Sequence, residues 1–171
     1  MEKGIKKDDV IKHSLLLMGF PLDDADSKEA EVYKTASFLF DGTLLKMLKD
    51  NTFPFNIYKE RINYTDRKFY LGKYEYVKPS RYLDSLTPGV EERGDKLYST
   101  KENLILRYKK KLDAIDVPEE YGELLSILLA IKTAPGVGKV KSLTRLYSLY
   151  QEELMQVSKL GSYDITLEEL E

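Results

Sequence analysis

VPEEYGELLSILLAIKTAPGVGKVKSLTRLYSLYQEELMQVSKLG, residues 117–161, is the stretch that decides the fold. Two helical patterns meet here at one break, Ala134-Pro135-Gly136-Val137-Gly138. The first, Pro118 to Thr133, has Tyr121, Leu124, Leu128 and Ile131 on one stripe and Leu125, Ile127 and Leu129 on the other sides. A helix that is apolar all round must be enclosed by other elements. The second pattern spaces Val140, Leu143, Tyr147, Tyr150, Leu154 and Val157 by alternating threes and fours, a heptad-like seam. That seam is expected to close the core. Leu146, Leu149 and Met155 fall off it and are candidates for contact with a neighbouring subunit. Gly161 is placed as the cap of this helix. The hairpin is therefore the expected hub of the chain.

Working outward, Asp8 and Asp9 open a short helix that ends near Met18, with Gly19 after its C-terminus. Val10, Ser14, Leu15 and Met18 share its face, and His13 falls outside that stripe, on the surface. Phe20 to Ala25 reads as a linker. Asp26 with Glu29 has the spacing of a capping box and starts a long helix over about Ser27 to Lys49. Pro54 prevents its continuation.

The middle, about Phe53 to Tyr108, changes character. It holds eight of the chain's 13 tyrosines, and there is no tryptophan. Aromatic and β-branched residues alternate at period two, with turn residues at Asn63 to Asp66, Gly72, Pro79-Ser80, Pro88-Gly89 and Gly94-Asp95. This predicts a small antiparallel sheet inserted between helices. Tyr82, Leu83 and Leu86 are assigned to a loop or a single helical turn. Lys109 to Lys111 reads as a solvated exit from the last strand. Residues 162–171 are acidic and thinly apolar, and read as a tail that orders only against something else.

The expected fold class is thus α+β, mainly α: a bundle of about four helices with one inserted sheet. The chain is expected to form a single domain over 1–171, helical over 8–50 and 117–161, with the β insertion at about 53–108.

Composition narrows the chemistry. There is no cysteine and one histidine, so disulfides, thiolate metal sites and Ser-His-Asp catalysis have little or no material. Net charge is −2, a nearly balanced surface that argues against a non-specific nucleic-acid binder. No signal peptide or membrane span is legible, which points to a soluble, intracellular product.

Three motifs resolve to structure. Phe38 to Leu45 resembles the phosphatase loop built on two aspartates, but Leu39 stands where the nucleophile belongs and the stretch reads as helix. Arg93-Gly94-Asp95 reads as a hairpin turn. Gly136 to Lys139 lacks the strand, glycine spacing and Ser or Thr of a phosphate-binding loop, and reads as a tight interhelical turn. No catalytic residue, metal ligand or cofactor is expected.

The element order carries one resemblance. Val10 to Gly19 precedes an acidic linker and a long helix. Phe53-Pro54-Phe55-Asn56 looks like a W-x-F-N step with Phe for Trp. Tyr76 to Leu86 contains P-x-x-Y-L-x-x-L. Arg93 to Ser99 is similar to a G-x-x-L-x-T hairpin, Leu104 to Tyr108 to an L-x-x-x-Y strand, and Asp116 to Ala130 to the helix that follows. In this order the segments resemble the tail tubular protein A family of podophages, head-to-tail adaptors. The resemblance spans roughly residues 8–160. It implies a virion protein made in the host cytoplasm and assembled as a dodecameric ring between the portal and the tail tube or nozzle. DNA would pass through without specific binding, with no membrane, cofactor or catalysis. A non-viral helical scaffold or regulatory module is the competing expectation. Tyrosine offers apolar area and a hydroxyl at low entropic cost. Tyr70, Tyr74, Tyr76 and Tyr98 of the sheet, and Tyr163, Ile165 and Leu167 of the tail, therefore join Leu146, Leu149 and Met155 as candidate contacts.

Overall fold

The computed structural model describes residues 4–65 and 72–160. The fold is α+β, mainly α. The chain divides into two compact units. One joins the residues up to Met47 with those from Asp113 onward, and the other is Leu48–Leu112.

The helical unit is built around α4 (Gly122–Thr133), which is buried continuously from Leu124 to Ile131. Only Glu123 and Lys132, near its ends, are exposed, so it is packed from several directions. α1 (Lys7–Leu17) and α5 (Leu143–Leu160) both pack on it. Val10, Ile11, Ser14 and Leu15 form the inner face of α1, and Ser14 Oγ donates to the Ile11 carbonyl at 2.7 Å, which satisfies its buried hydroxyl. Gly19 takes φ 89° after α1, a left-handed conformation that glycine adopts without a Cβ penalty. Arg145 on α5 donates to the Leu17 carbonyl, a cation on the negative end of α1. Gly4 and Ile5 are laced to the segment before α4. Gly4 pairs with Pro118, and Ile5 N–H faces the carbonyls of Ala114 and Val117 at 3.1 Å. A Cβ at Gly4 would lie 1.7 Å from the Ile115 carbonyl oxygen, so only glycine fits this crossing.

The long helix α3 (Glu31–Asp50) begins four residues later than the capping pattern predicts. The acidic stretch before it is not a linker throughout. Leu22–Asp26 forms a short helix, α2, anchored by the buried Ala25, and Ser27 to Ala30 is a turn. Tyr33, Ala36, Phe40, Leu44 and Met47 make the buried stripe of α3. The Tyr33 hydroxyl donates to Asp8, and Lys7 lies 5.3 Å over the Phe40 ring. Phe38 to Leu45 is plain helix, with Asp41 exposed.

The break between α4 and α5 is a 3-10 turn over Ala134–Val137, closed by Gly138 at φ 74° and a second 3-10 turn over Val140–Ser142. α5 therefore starts at Leu143, and its inward side keeps Leu143, Tyr150, Leu154 and Val157 of the predicted seam but takes Leu146 in place of Tyr147. Leu146 and Val157 are buried, with Leu143, Tyr150 and Glu153 half-buried between and beside them. Val140 and Tyr147 of the predicted seam are exposed. The predicted cap at Gly161 lies outside the described residues.

The β unit holds two three-stranded antiparallel sheets rather than one. The first orders β1 (Ile57–Ile62), β6 (Leu104–Lys110) and β3 (Tyr82–Ser85) with β6 in the centre. The second orders β2 (Tyr74–Val77), β5 (Lys96–Ser99) and β4 (Glu91–Arg93) with β5 in the centre. A bridge between Tyr64 and Tyr76 accompanies the second sheet. Tyr82 and Leu83 are strand, not loop. A register shift between Tyr82 and Asp84 breaks the period-two pattern from which strands are recognised. Phe53 is buried, but Pro54–Asn56 is a 3-10 turn and the strand begins only at Ile57. Gly94 and Asp95 form the turn between β4 and β5, with Arg93 closing one strand. Lys109 is not solvated. Its ammonium donates to the carbonyls of Lys49 at 2.6 Å and Asn51 at 3.3 Å, around the α3 C-terminus, where a cation meets the negative end of the helix dipole.

Candidate subunit-contact surfaces

The sheet tyrosines are mostly core, not surface. Ile62, Tyr76, Leu97, Leu104, Leu106 and Tyr108 form one buried cluster, and Tyr58, Tyr64, Tyr74 and Tyr82 pack against it. The unit has eight tyrosines beside eight leucines, and tyrosine brings large apolar area provided its hydroxyl finds a partner. Tyr76 donates to the carbonyls of Lys101 and Glu102, Tyr108 to Glu60 Oε2 at 3.1 Å, and Tyr98 to Glu75 Oε2 at 2.9 Å, while the Tyr82 hydroxyl is buried without a hydrogen-bond partner. Tyr82 stacks on Tyr108 with centroids 5.9 Å apart, and Tyr74 on Tyr64 at 5.3 Å. Burial, reinforced by the Glu60 carboxylate, pushes the Tyr108 phenol up to about 12. Burial likewise raises Tyr82 and Tyr76.

Among the expected contact residues, Tyr76 and Leu146 are corrections. Both are 0% exposed within their own units, so neither can present a surface to a partner. Tyr74, Tyr98 and Leu149 are half-buried. Met155 is 65% exposed, the most open of the set. Tyr70, Tyr163, Ile165 and Leu167 lie outside the described residues. Sequence reasoning missed other exposed apolar groups: Tyr147 and Val140 at the α5 end of the hairpin, and Phe38 on α3, 87% exposed. Phe38 stands beside a shallow groove of about 320 Å³ lined by Leu39, Gly42, Thr43 and Lys132.

The helical unit also carries a pocket of about 250 Å³ between α1 and the start of α4. Asp9, His13, Glu119, Glu123 and Lys6 line it, together with Ser126. His13 Nε2 lies 2.5 Å from Glu123 Oε2, an approach that lacks hydrogen-bond geometry. Ser126 Oγ is committed to the Gly122 carbonyl at 2.8 Å, so it is no nucleophile poised by the histidine. Burial, then repulsion from Glu123, raises the carboxyl pKa of Glu153 on α5. Among the described residues, no group of three His, Cys, Asp or Glu side chains could hold a metal, and no helix is long and apolar enough to cross a membrane.

The two units differ sharply in charge. Leu48–Leu112 has 15 Lys and Arg against 9 Asp and Glu, a net of +6. The remainder has 12 against 20, a net of −8. The whole-chain value of −2 conceals this division, and a tally by segment would have found it. No known protein family matches the chain, and no curated protein matches it in sequence.

Proposed function

We propose that this chain is a structural adaptor that assembles as a ring beneath a phage portal, joins it to the tail tube or nozzle, and lets DNA pass through the centre. The observation that carries the reading is the order of elements: a short helix, a long helix, a tyrosine-rich β unit, an enclosed helix and a long final helix. The sequence segments that resemble the head-to-tail adaptors fall in that order. Exposed apolar side chains at Val140, Tyr147 and Met155, along the final helix and its approach, add support, because such groups on a long helix suit contact with further protein. In this role the chain has no reaction to perform. The partners are further copies of itself, the portal and the tail tube or nozzle protein, and the location is the head–tail interface of the virion. Negative-stain images of the chain mixed with its portal should show an added annular layer. A portal with no added layer, at concentrations saturating for both, would refute the proposal.

A further inference from the structure

We infer that neighbouring copies join head to tail through charge: the basic outer face of the β1–β6–β3 sheet of one copy docks on the acidic rim of the helical unit of the next. This rests on the ring reading above and supplies the contact that reading leaves unspecified.

The basic face follows from strand alternation. In β6, Leu104, Leu106 and Tyr108 point into the buried cluster, so Ile105, Arg107 and Lys109 take the other side. Lys59 of β1 pairs across from Arg107, and Arg61 across from Ile105. Glu60, between them, faces the other side, where its carboxylate accepts from Tyr108. Lys109 is committed to the α3 C-terminal carbonyls, and Asp84 of β3 sits opposite it at that end. Away from that end the face is Lys59, Arg61 and Arg107 around a part-exposed Ile105.

The acidic counterpart lies in the same chain. From Asp113 to Ile131 there is no Lys or Arg, while Asp113, Asp116, Glu119, Glu120 and Glu123 fall within it. Glu119 and Glu120 are exposed in the 3-10 turn that opens α4, and Glu119 and Glu123 rim the pocket described above. Four of the negative charges behind the helical unit's −8 fall in residues 161–171, outside the described ones; the opposed charge of the two units is self-complementary only between different patches. That is a heterologous contact, which closes into a ring when its rotation allows. Nucleic acid could also take a basic face, but it would leave the acidic pole unexplained, whereas a second copy satisfies both.

Charge exchange tests this in the full chain. Sedimentation velocity should show wild-type self-association, with or without the portal as template. That association should weaken by roughly tenfold or more as salt rises from about 0.1 M to about 1 M, where the screening length falls from about 10 Å to about 3 Å. Arg61→Glu with Arg107→Glu should abolish it, as should Glu119→Lys with Glu120→Lys, and an equimolar mixture of the two variants should restore it. The neutral pairs, R61Q/R107Q and E119Q/E120Q, should weaken it without reversing charge, and circular dichroism confirms that each variant is folded. Rings that persist in every folded variant, or that ignore salt, would overturn this inference while leaving the ring proposal intact. A wild-type chain that forms no oligomer even on its portal would overturn both. Loss of duplex-DNA binding in R61E/R107E, with self-association unchanged, would assign the basic face to nucleic acid instead.

Discussion

Replacing Leu146 by alanine separates the two possible faces of α5. Leu146 is wholly buried where α5 packs on α4, whose side chains from Leu124 to Ile131 are themselves enclosed. The change deletes three carbons, worth about 2.4 kcal/mol of transfer free energy at about 0.8 kcal/mol per methylene. The enclosed surroundings cannot collapse fully, so a cavity term of roughly 1 kcal/mol adds to it. The expected loss is about 3 kcal/mol, or roughly 6–12 °C in Tm for a chain of this size. Met155→Ala, on the open side of the same helix, should change stability by less than about 0.5 kcal/mol. Urea unfolding followed by far-ultraviolet circular dichroism reads both, at dilute protein so that association does not contribute. A small loss for L146A with a large one for Tyr147→Ala would refute the assignment and restore the seam through Val140 and Tyr147.

Other outcomes follow from buried polar groups. Tyr33 and Tyr108 are held up to about 12, so the folded protein keeps phenolic protons that the unfolded chain releases near pH 10. Stability should be intact below pH 10 and fall as pH rises from there towards 12. Absorbance at 295 nm should show these phenols ionising late, towards pH 12, and Tyr108→Phe should remove one late titration. Glu153 is raised by burial and by Glu123, so its charge opposes folding at neutral pH. Glu153→Gln should stabilise at pH 7, by under about 1 kcal/mol, with the gain fading in acid as the carboxyl protonates in both states. A pH-independent effect of E153Q would contradict this account. Lys109→Met keeps the aliphatic stem but strips the α3 C-terminus of its donor, and should cost about 1–3 kcal/mol in thermal unfolding.

How much of this was legible depended on whether a single local pattern stated it. The enclosed helix α4 was readable because apolar residues occupied every side of it. The β unit was readable from its alternation and turns, but its division into two sheets was not, because pairing across sequence leaves no local mark. The face of α5 misled for a specific reason. Positions 143, 150 and 157 belong to either stripe, and Glu153 sits on the true one beside Leu146. A half-buried glutamate made the predicted stripe, with Tyr147, look more apolar. The tyrosines misled through chemistry. A residue suited to interfaces is equally suited to a small core whose carbonyls and carboxylates can receive its hydroxyls. Net charge misled by averaging, since two opposed poles sum to almost nothing.

The most direct test of the adaptor role is native mass spectrometry of the complex between this chain and its portal. A ring adaptor predicts many copies per portal, twelve if it follows the family it resembles, added cooperatively as a closed layer. One or two copies bound to a single partner molecule would contradict the ring and identify a scaffold or regulatory module instead.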